Sequence, residues 1–193
     1  FKTFQYYNHT SAKYDMFIQY TDPAVGKGKA ACYAAVIVIG RLAGGPQAGR
    51  WGLAWASMQR RNPSETVQAH NRIFRDFSGL YKGVPAEAFM ESNGFQSFMC
   101  EEAVSRSLAD GLEPVPTTGL PTTENKEAKI RSMEPGITQG ILLIRDDWQT
   151  APDGYRICVD QLHNFPQDYM DGPDALAMAW GQSRRWYYSD AQE

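Results

Sequence analysis

The stretch Ala31–Ile39 reads ACYAAVIVI and carries almost no polar side chain. A strand that lies half in water alternates apolar with polar residues, whereas a strand buried on both faces reads as a continuous apolar run. Turn chemistry bounds this segment on either side, with Gly26-Lys-Gly-Lys29 before it and Gly44-Gly-Pro-Gln-Ala-Gly49 after it. It is therefore expected to be a buried strand inside a sheet. Its partners are adjacent in the sequence. Asp15–Thr21 is strand-like and ends at Asp22-Pro23, where the missing proline N–H stops a ladder. Trp51–Gln59 alternates enough to form a third strand. Three consecutive strands joined by short turns make an antiparallel meander.

The rest of the chain supplies the covering layers. Asn62-Pro63-Ser64-Glu65 combines an N-cap residue, a proline at the first helical position and a glutamate at the third. It predicts a helix reaching Gly79, with Val67, Ile73, Phe74 and Phe77 as its apolar stripe. A strand over Ala86–Glu91 leads into Ser92-Asn-Gly94. A helix is expected over Phe95–Ala109, then a short strand over Glu113–Thr117 and a loop over Thr118–Thr123. Next come a helix over Asn125–Met133, an edge strand over Gly140–Ile144, and a polar loop over residues 146–156. A short helix over Arg156–Leu162 follows, and a last helix runs from Pro173 to about Tyr188. Residues 1–14, polar and aromatic without a clear period, are expected as a lead-in segment, and residues 15–193 as a single domain. The element order predicts an α/β fold: a mixed β-sheet, part antiparallel meander and part parallel, flanked by helices.

Bulk properties narrow the chemistry. A chain of 193 residues is long enough for one sizeable core. With 42% hydrophobic and 21% charged residues it is globular rather than disordered. The net charge of -3 creates no global basic field, so any nucleic-acid contact must come from local basic clusters. Cys32, Cys100 and Cys158 are widely spaced and form neither a zinc pattern nor a disulfide framework, which favours a reducing compartment. The longest apolar run, Ala30–Gly40, is too short to span a bilayer. His9, His70 and His163 are far apart and form no metal pattern. Ser92 beside Glu91 has no identifiable base to activate it. Gly26-Lys-Gly-Lys29 lacks the spacing of a phosphate-binding G-x-x-x-x-G-K-[ST] loop, and that motif occurs nowhere in the chain. The chain begins at Phe1 and is read as a piece of a larger protein.

The acids at element ends are the most informative residues. Asp22 ends the first strand of the meander, Glu91 ends the fourth strand, and Asp171 and Asp174 open the last helix. If strands one and four are neighbours, Asp22 and Glu91 become adjacent. A last helix packed across that sheet would bring its two acids to them. Carboxylate oxygens suit Mg²⁺, and two ions about 3.5–4 Å apart can activate water and stabilise a leaving oxygen in phosphoryl chemistry. Each acid also has a structural role open to it. Asp22-Pro23 is an ordinary turn pair, Glu91 a solvated strand end, Asp171 a helix cap and Asp174 a partner of the helix dipole.

Several motifs in order resemble the C-terminal nuclease domain of the bacteriophage terminase large subunit. Tyr20-Thr-Asp-Pro-Ala-Val-Gly26 resembles the first-strand acid motif, and Phe89-Met-Glu-Ser-Asn-Gly94 the second. Asn125-Lys-Glu-Ala-Lys-Ile-Arg131, Pro135 and Gly140-Ile-Leu-Leu-Ile144 resemble the basic segment before an edge strand. Gln161-Leu-His-Asn-Phe-Pro166 and Asp171-Gly-Pro-Asp-Ala-Leu176 resemble the closing signature. The resemblance runs from about Tyr14 to Trp180 and implies a ribonuclease H-like fold. It also implies an endonuclease that cuts double-stranded concatemeric DNA with two divalent ions, Mg²⁺ or Mn²⁺. Asp22, Glu91 and Asp174 would be catalytic and hold the ions, with Asp22 bridging them and Asp171 a fourth ligand or a supporting acid. The chain departs from the pattern in having Met170 before Asp171 where many relatives have two acids in succession.

By the same resemblance Lys126, Lys129 and Arg131 would contact DNA phosphates, and a solvated basic face is the alternative. The implied setting is the cytoplasm of an infected host cell. The implied partners are a terminase ATPase domain absent from this chain, a portal and a small terminase subunit, with no membrane and with the isolated domain monomeric. Two other readings stay open: a different ribonuclease H-like nuclease of resolvase or integrase type, and a non-catalytic docking module for portal or partner proteins. Arg60, Arg61, Arg72 and Arg75 form a candidate second basic patch, for which solubility is the simpler explanation.

Overall fold

The computed structural model describes residues 1, 3–23, 33–93 and 97–189. The turn expected at Gly26–Lys29, the first two residues of the apolar stretch, and Gly94 to Gln96 lie outside the described residues. Seven strands form one sheet: β1 (Tyr6–Tyr7), β2 (Tyr14–Asp22), β3 (Ala34–Leu42), β4 (Trp51–Gln59), β5 (Ala86–Glu91), β6 (Thr117–Leu120) and β7 (Leu142–Arg145). Their spatial order is β1-β7-β4-β3-β2-β5-β6. β3 pairs antiparallel with β2 and β4, while β1–β7, β4–β7, β2–β5 and β5–β6 are parallel. The meander is thus the antiparallel centre of a mixed sheet, and β3 alone runs against the others.

The apolar run of β3 is explained by what covers it. Ala35, Ile37 and Ile39 belong to a core shared with α5 (Asp153–Asn164) and α6 (Asp171–Ser189), while Val36 and Val38 point the other way, toward α1 (Pro63–Leu80). Both faces of the strand are dry, so neither side-chain parity needs a polar residue. The helix α1 starts as its sequence predicts. The Asn62 side chain accepts from the Glu65 N–H, and the Glu65 carboxylate accepts from the Asn62 N–H, each at 2.9 Å. Beyond α1, α2 (Ser97–Ala109) packs against it, and α3 (Lys126–Arg131) packs on α6.

Four elements differ from the sequence reading. The sixth strand begins at Thr117 rather than Glu113, because Pro114 and Pro116 have no N–H to give a ladder. The helix expected over Asn125–Met133 is α3, which ends at Arg131, and a separate short helix, α4 (Glu134–Thr138), follows it with Pro135 in its first turn. The edge strand is not an edge, since Tyr6 and Tyr7 pair with Ile144 and Arg145 on its outer side. The lead-in segment therefore enters the sheet, with Tyr7 buried and its hydroxyl donating to the Leu53 carbonyl at 2.9 Å. Finally, α5 starts at Asp153, directly after Pro152, and takes in the end of the expected loop. Among the described residues no helix is long and apolar enough to cross a membrane.

Candidate active site

Alternation along β2 and β5 decides where their last acids point. Met16, Ile18 and Tyr20 face the α5/α6 side, so Asp22 does too. Phe89 is in the same core, which puts Glu91 on that face as well. β2 and β5 are parallel neighbours with Thr21 opposite Met90, so the two acids end adjacent strands at the same end of the sheet. The α6 helix packs across β2 and β3, and its N-terminus arrives at this end. Its start is seated by α5. The Gly172 N–H donates to Gln161 Oε1 at 2.9 Å, and a Cβ on Gly172 would meet that oxygen at 3.0 Å and Cys158 Sγ at 3.1 Å. The Gly-Pro pair between the acids thus serves close approach as well as helix initiation.

Asp22, Asp171 and Asp174 are all buried. Burial first, then hydrogen bonding with the facing Glu91 carboxyl and the Glu91 charge, hold the Asp22 pKa well above its ordinary value. Glu91 is fixed by the loop after β6. It accepts from Asn93 Nδ2 at 2.8 Å and from the Thr122 hydroxyl, and Asn93 also donates to the Thr122 carbonyl at 2.7 Å. Asp171 Oδ2 accepts from the Tyr33 backbone N–H at 2.9 Å, reaching across to the start of β3. Asp174 Oδ1 lies 2.7 Å from Lys129 Nζ, an ion pair without hydrogen-bond geometry.

Lys126 completes the cluster. Its ammonium stands 3.5 Å from Asp171 and 3.4 Å from Asp174. Burial opposes its charge, but Asp22, Asp174 and Asp171 together outweigh burial and raise its pKa. The three basic residues of α3 thus have different surroundings. Lys129 is buried and turned onto Asp174, away from solvent. Lys126 is exposed at the mouth of the cluster. Arg131 is exposed, paired with Glu127 at 2.7 Å and stacked over Phe165.

Sequence reasoning missed several residues that organise this end of the sheet. His70 on α1 is fully buried, and burial pushes its pKa down to about 3, so the ring is neutral. Its Nδ1 lies 2.8 Å from the Thr21 hydroxyl and its Nε2 2.9 Å from the Thr117 hydroxyl, joining β2 to β6. Asn93 and Thr122 join two loops, and the Tyr33 N–H joins the start of β3 to Asp171. The Tyr20 hydroxyl is buried without a hydrogen-bond partner. Burial and the nearby charges of Glu91, Asp22 and Asp174 raise its pKa.

The chemistry of the donor set fits a hard divalent cation, since it is made of carboxylate oxygens brought together in excess of cationic neighbours. Asp22 faces Glu91, and Lys126 bridges Asp171 and Asp174. Among the described residues no three His, Cys, Asp or Glu side chains surround one point as they stand. The ammoniums of Lys126 and Lys129 supply part of the positive charge that a divalent ion would supply in their place.

Compared with protein-family models the sequence gives no match, and compared with curated proteins it gives none. Among solved structures the chain is similar to the human cytomegalovirus terminase nuclease domain. The TM-score is 0.67 at 11% identity, covering 91% of this chain and 88% of that one. The Mn-soaked, inhibitor-bound form of that domain matches with a TM-score of 0.65 at 12% identity, covering 92% and 88%. The chain has this fold, a ribonuclease H-like mixed sheet flanked by helices.

Proposed function

We propose that this chain is a divalent-metal-dependent endonuclease domain that hydrolyses phosphodiester bonds of double-stranded DNA, as in the trimming of concatemeric viral DNA during packaging. One observation carries the reading: four acids from three separate parts of the chain meet at one end of the sheet, where Lys126 bridges two of them. The shared fold with a terminase nuclease domain supports it. In that setting the chain would work beside an ATPase domain, a portal and a small terminase subunit.

Asp22, Glu91 and Asp174, assisted by Asp171, would hold Mg²⁺ or Mn²⁺. The ions supply Lewis-acid activation of water and neutralise charge at the scissile phosphate. The chain's own residues prepare that site. Asn93 and Thr122 keep the Glu91 carboxylate oriented. The first turn of α6 offers its partial positive charge to Asp171 and Asp174. Lys126 is exposed beside the acids, where it would meet phosphate oxygens, and Arg131 lies on the same helix. The fold's dry core beneath Asp22 excludes water from behind.

The test is nicking of supercoiled plasmid. The chain is expected to convert it to open-circular and linear forms in Mn²⁺ and to stop when EDTA is added. No nicking across a range of Mn²⁺ and Mg²⁺ would overturn the proposal and leave a docking module as the better reading.

A further inference from the structure

On the other face of the sheet, between the end of β4, α1 and α2, lies an open groove of about 600 Å³. Five arginines line it: Arg60, Arg61, Arg72, Arg75 and Arg106. Three acids, Glu65, Asp76 and Asp110, offset them only in part. A positive excess here stands out in a chain whose net charge is -3. The arginines are also poorly neutralised. Among the described residues the one ion pair they make with the lining acids joins Arg106 to Asp110, at 3.9 Å. Arg61 Nη2 donates to Ser57 at 2.8 Å and Gln59 at 2.9 Å, but its Nη1 is buried with no hydrogen-bond partner. Burial and the charge of Arg72 lower the Arg61 pKa, and the Glu65 charge opposes them only in part.

The groove lies toward the same end of the sheet as the acid cluster. Gln59 is paired with Ala34 and Asp22 with Ala35, so the end of β4 and the end of β2 lie at the same end of the sheet. The Arg60 guanidinium sits over the Tyr33 ring, 5.8 Å from its centroid, and the Tyr33 N–H binds Asp171. In the other direction the groove opens into a second cavity of about 660 Å³ that shares Gln59, Arg72 and Asp76 with it. The ligand suited to it is anionic and extended. Arginine forks match phosphate oxygens in pairs, and a row of them tracks a phosphodiester backbone without reading bases.

We propose that this arginine groove is a second contact surface for the phosphodiester backbone of nucleic acid, holding DNA that extends beyond the acid cluster. It rests on the endonuclease reading for the identity of the substrate, and its test does not involve cleavage. Binding of a short fluorescent DNA duplex is measured in EDTA over a series of salt concentrations. Arg60 and Arg72 are exposed, so Arg60→Gln with Arg72→Gln leaves the fold in place, which the melting temperature verifies.

The double variant is expected to bind the duplex about tenfold more weakly. The slope of log affinity against log salt should fall by about one for each phosphate that the variant no longer neutralises. A control lacking two cations elsewhere, Lys13→Gln with Arg156→Gln, should change much less. Unchanged affinity and slope in the groove variant, equal weakening in the control, or no duplex binding by the parent would each overturn the proposal. Displacement of the duplex by inorganic phosphate as effectively as by DNA, at equal phosphate concentration, would mean a single-anion pocket and overturn it too. A chain that binds duplex through these arginines yet never nicks plasmid would sink the nuclease reading and leave the groove standing. A chain that nicks plasmid while the double variant binds like the parent would do the reverse.

Discussion

Asp22→Asn is expected to lower Mn²⁺-dependent nicking by more than about a hundredfold while leaving a folded chain that, without metal, melts at a higher temperature than the parent. Both halves follow from the same burial. The Asp22 carboxyl is charged only at the expense of desolvation and of repulsion from Glu91, and asparagine has no charge to bury. A carboxyl whose folded pKa lies above its unfolded one contributes stability below the unfolded value and loses it as pH rises through the folded one. The parent should therefore lose stability relative to Asp22→Asn as pH climbs from the ordinary aspartate value of 3.8 toward the raised value. Mn²⁺ should then reverse the order, because an ion that binds the folded parent at a hundred times its Kd adds about 2.7 kcal/mol. Melting curves of both chains across pH, with and without Mn²⁺, check this. A variant less stable than the parent at neutral pH without metal would contradict it.

Lys129→Ala should be the most damaging single change on the α3–α6 contact. Lys129 and Asp174 are both buried and their charged atoms are 2.7 Å apart. Removing the lysine leaves Asp174 in the interior with only the exposed Lys126 beside it, at 3.4 Å. Breaking a buried pair in this way costs about 3 kcal/mol, which for a chain of this size lowers the melting temperature by roughly 6–12 °C. Adding Asp174→Asn should recover a large part of that stability, since the uncompensated charge disappears. Thermal denaturation of the two variants decides it. Equal melting temperatures for Lys129→Ala and the parent would mean that the pair does not hold α3 to α6.

How much of this was legible in the sequence depends on how local each signal is. The central meander, α1 with its reciprocal Asn62–Glu65 cap, and β5 follow from periodicity and capping within a few residues, and they occur where the sequence indicates. The two-residue β1 has no period to read, and it becomes a strand only because β7 offers a free side. Thr117–Leu120 carries few apolar residues, and its pairing is set by Glu91 and its neighbours on β5. The convergence of Asp22, Glu91, Asp171 and Asp174 could be anticipated from strand ends and helix starts together with a resemblance. Their actual surroundings could not. Lys126 between two acids, Thr122 and Asn93 on Glu91, and the neutral His70 behind Thr21 join segments far apart in the chain. Nothing in the spacing of residues encodes them.

The central claim is that these four acids bind divalent metal, and calorimetric titration of Mn²⁺ into the chain tests it most directly. The prediction is saturable binding to the parent near neutral pH and no such binding to Asp22→Asn. Absence of saturable binding to the parent, or equal binding to both chains, would contradict it.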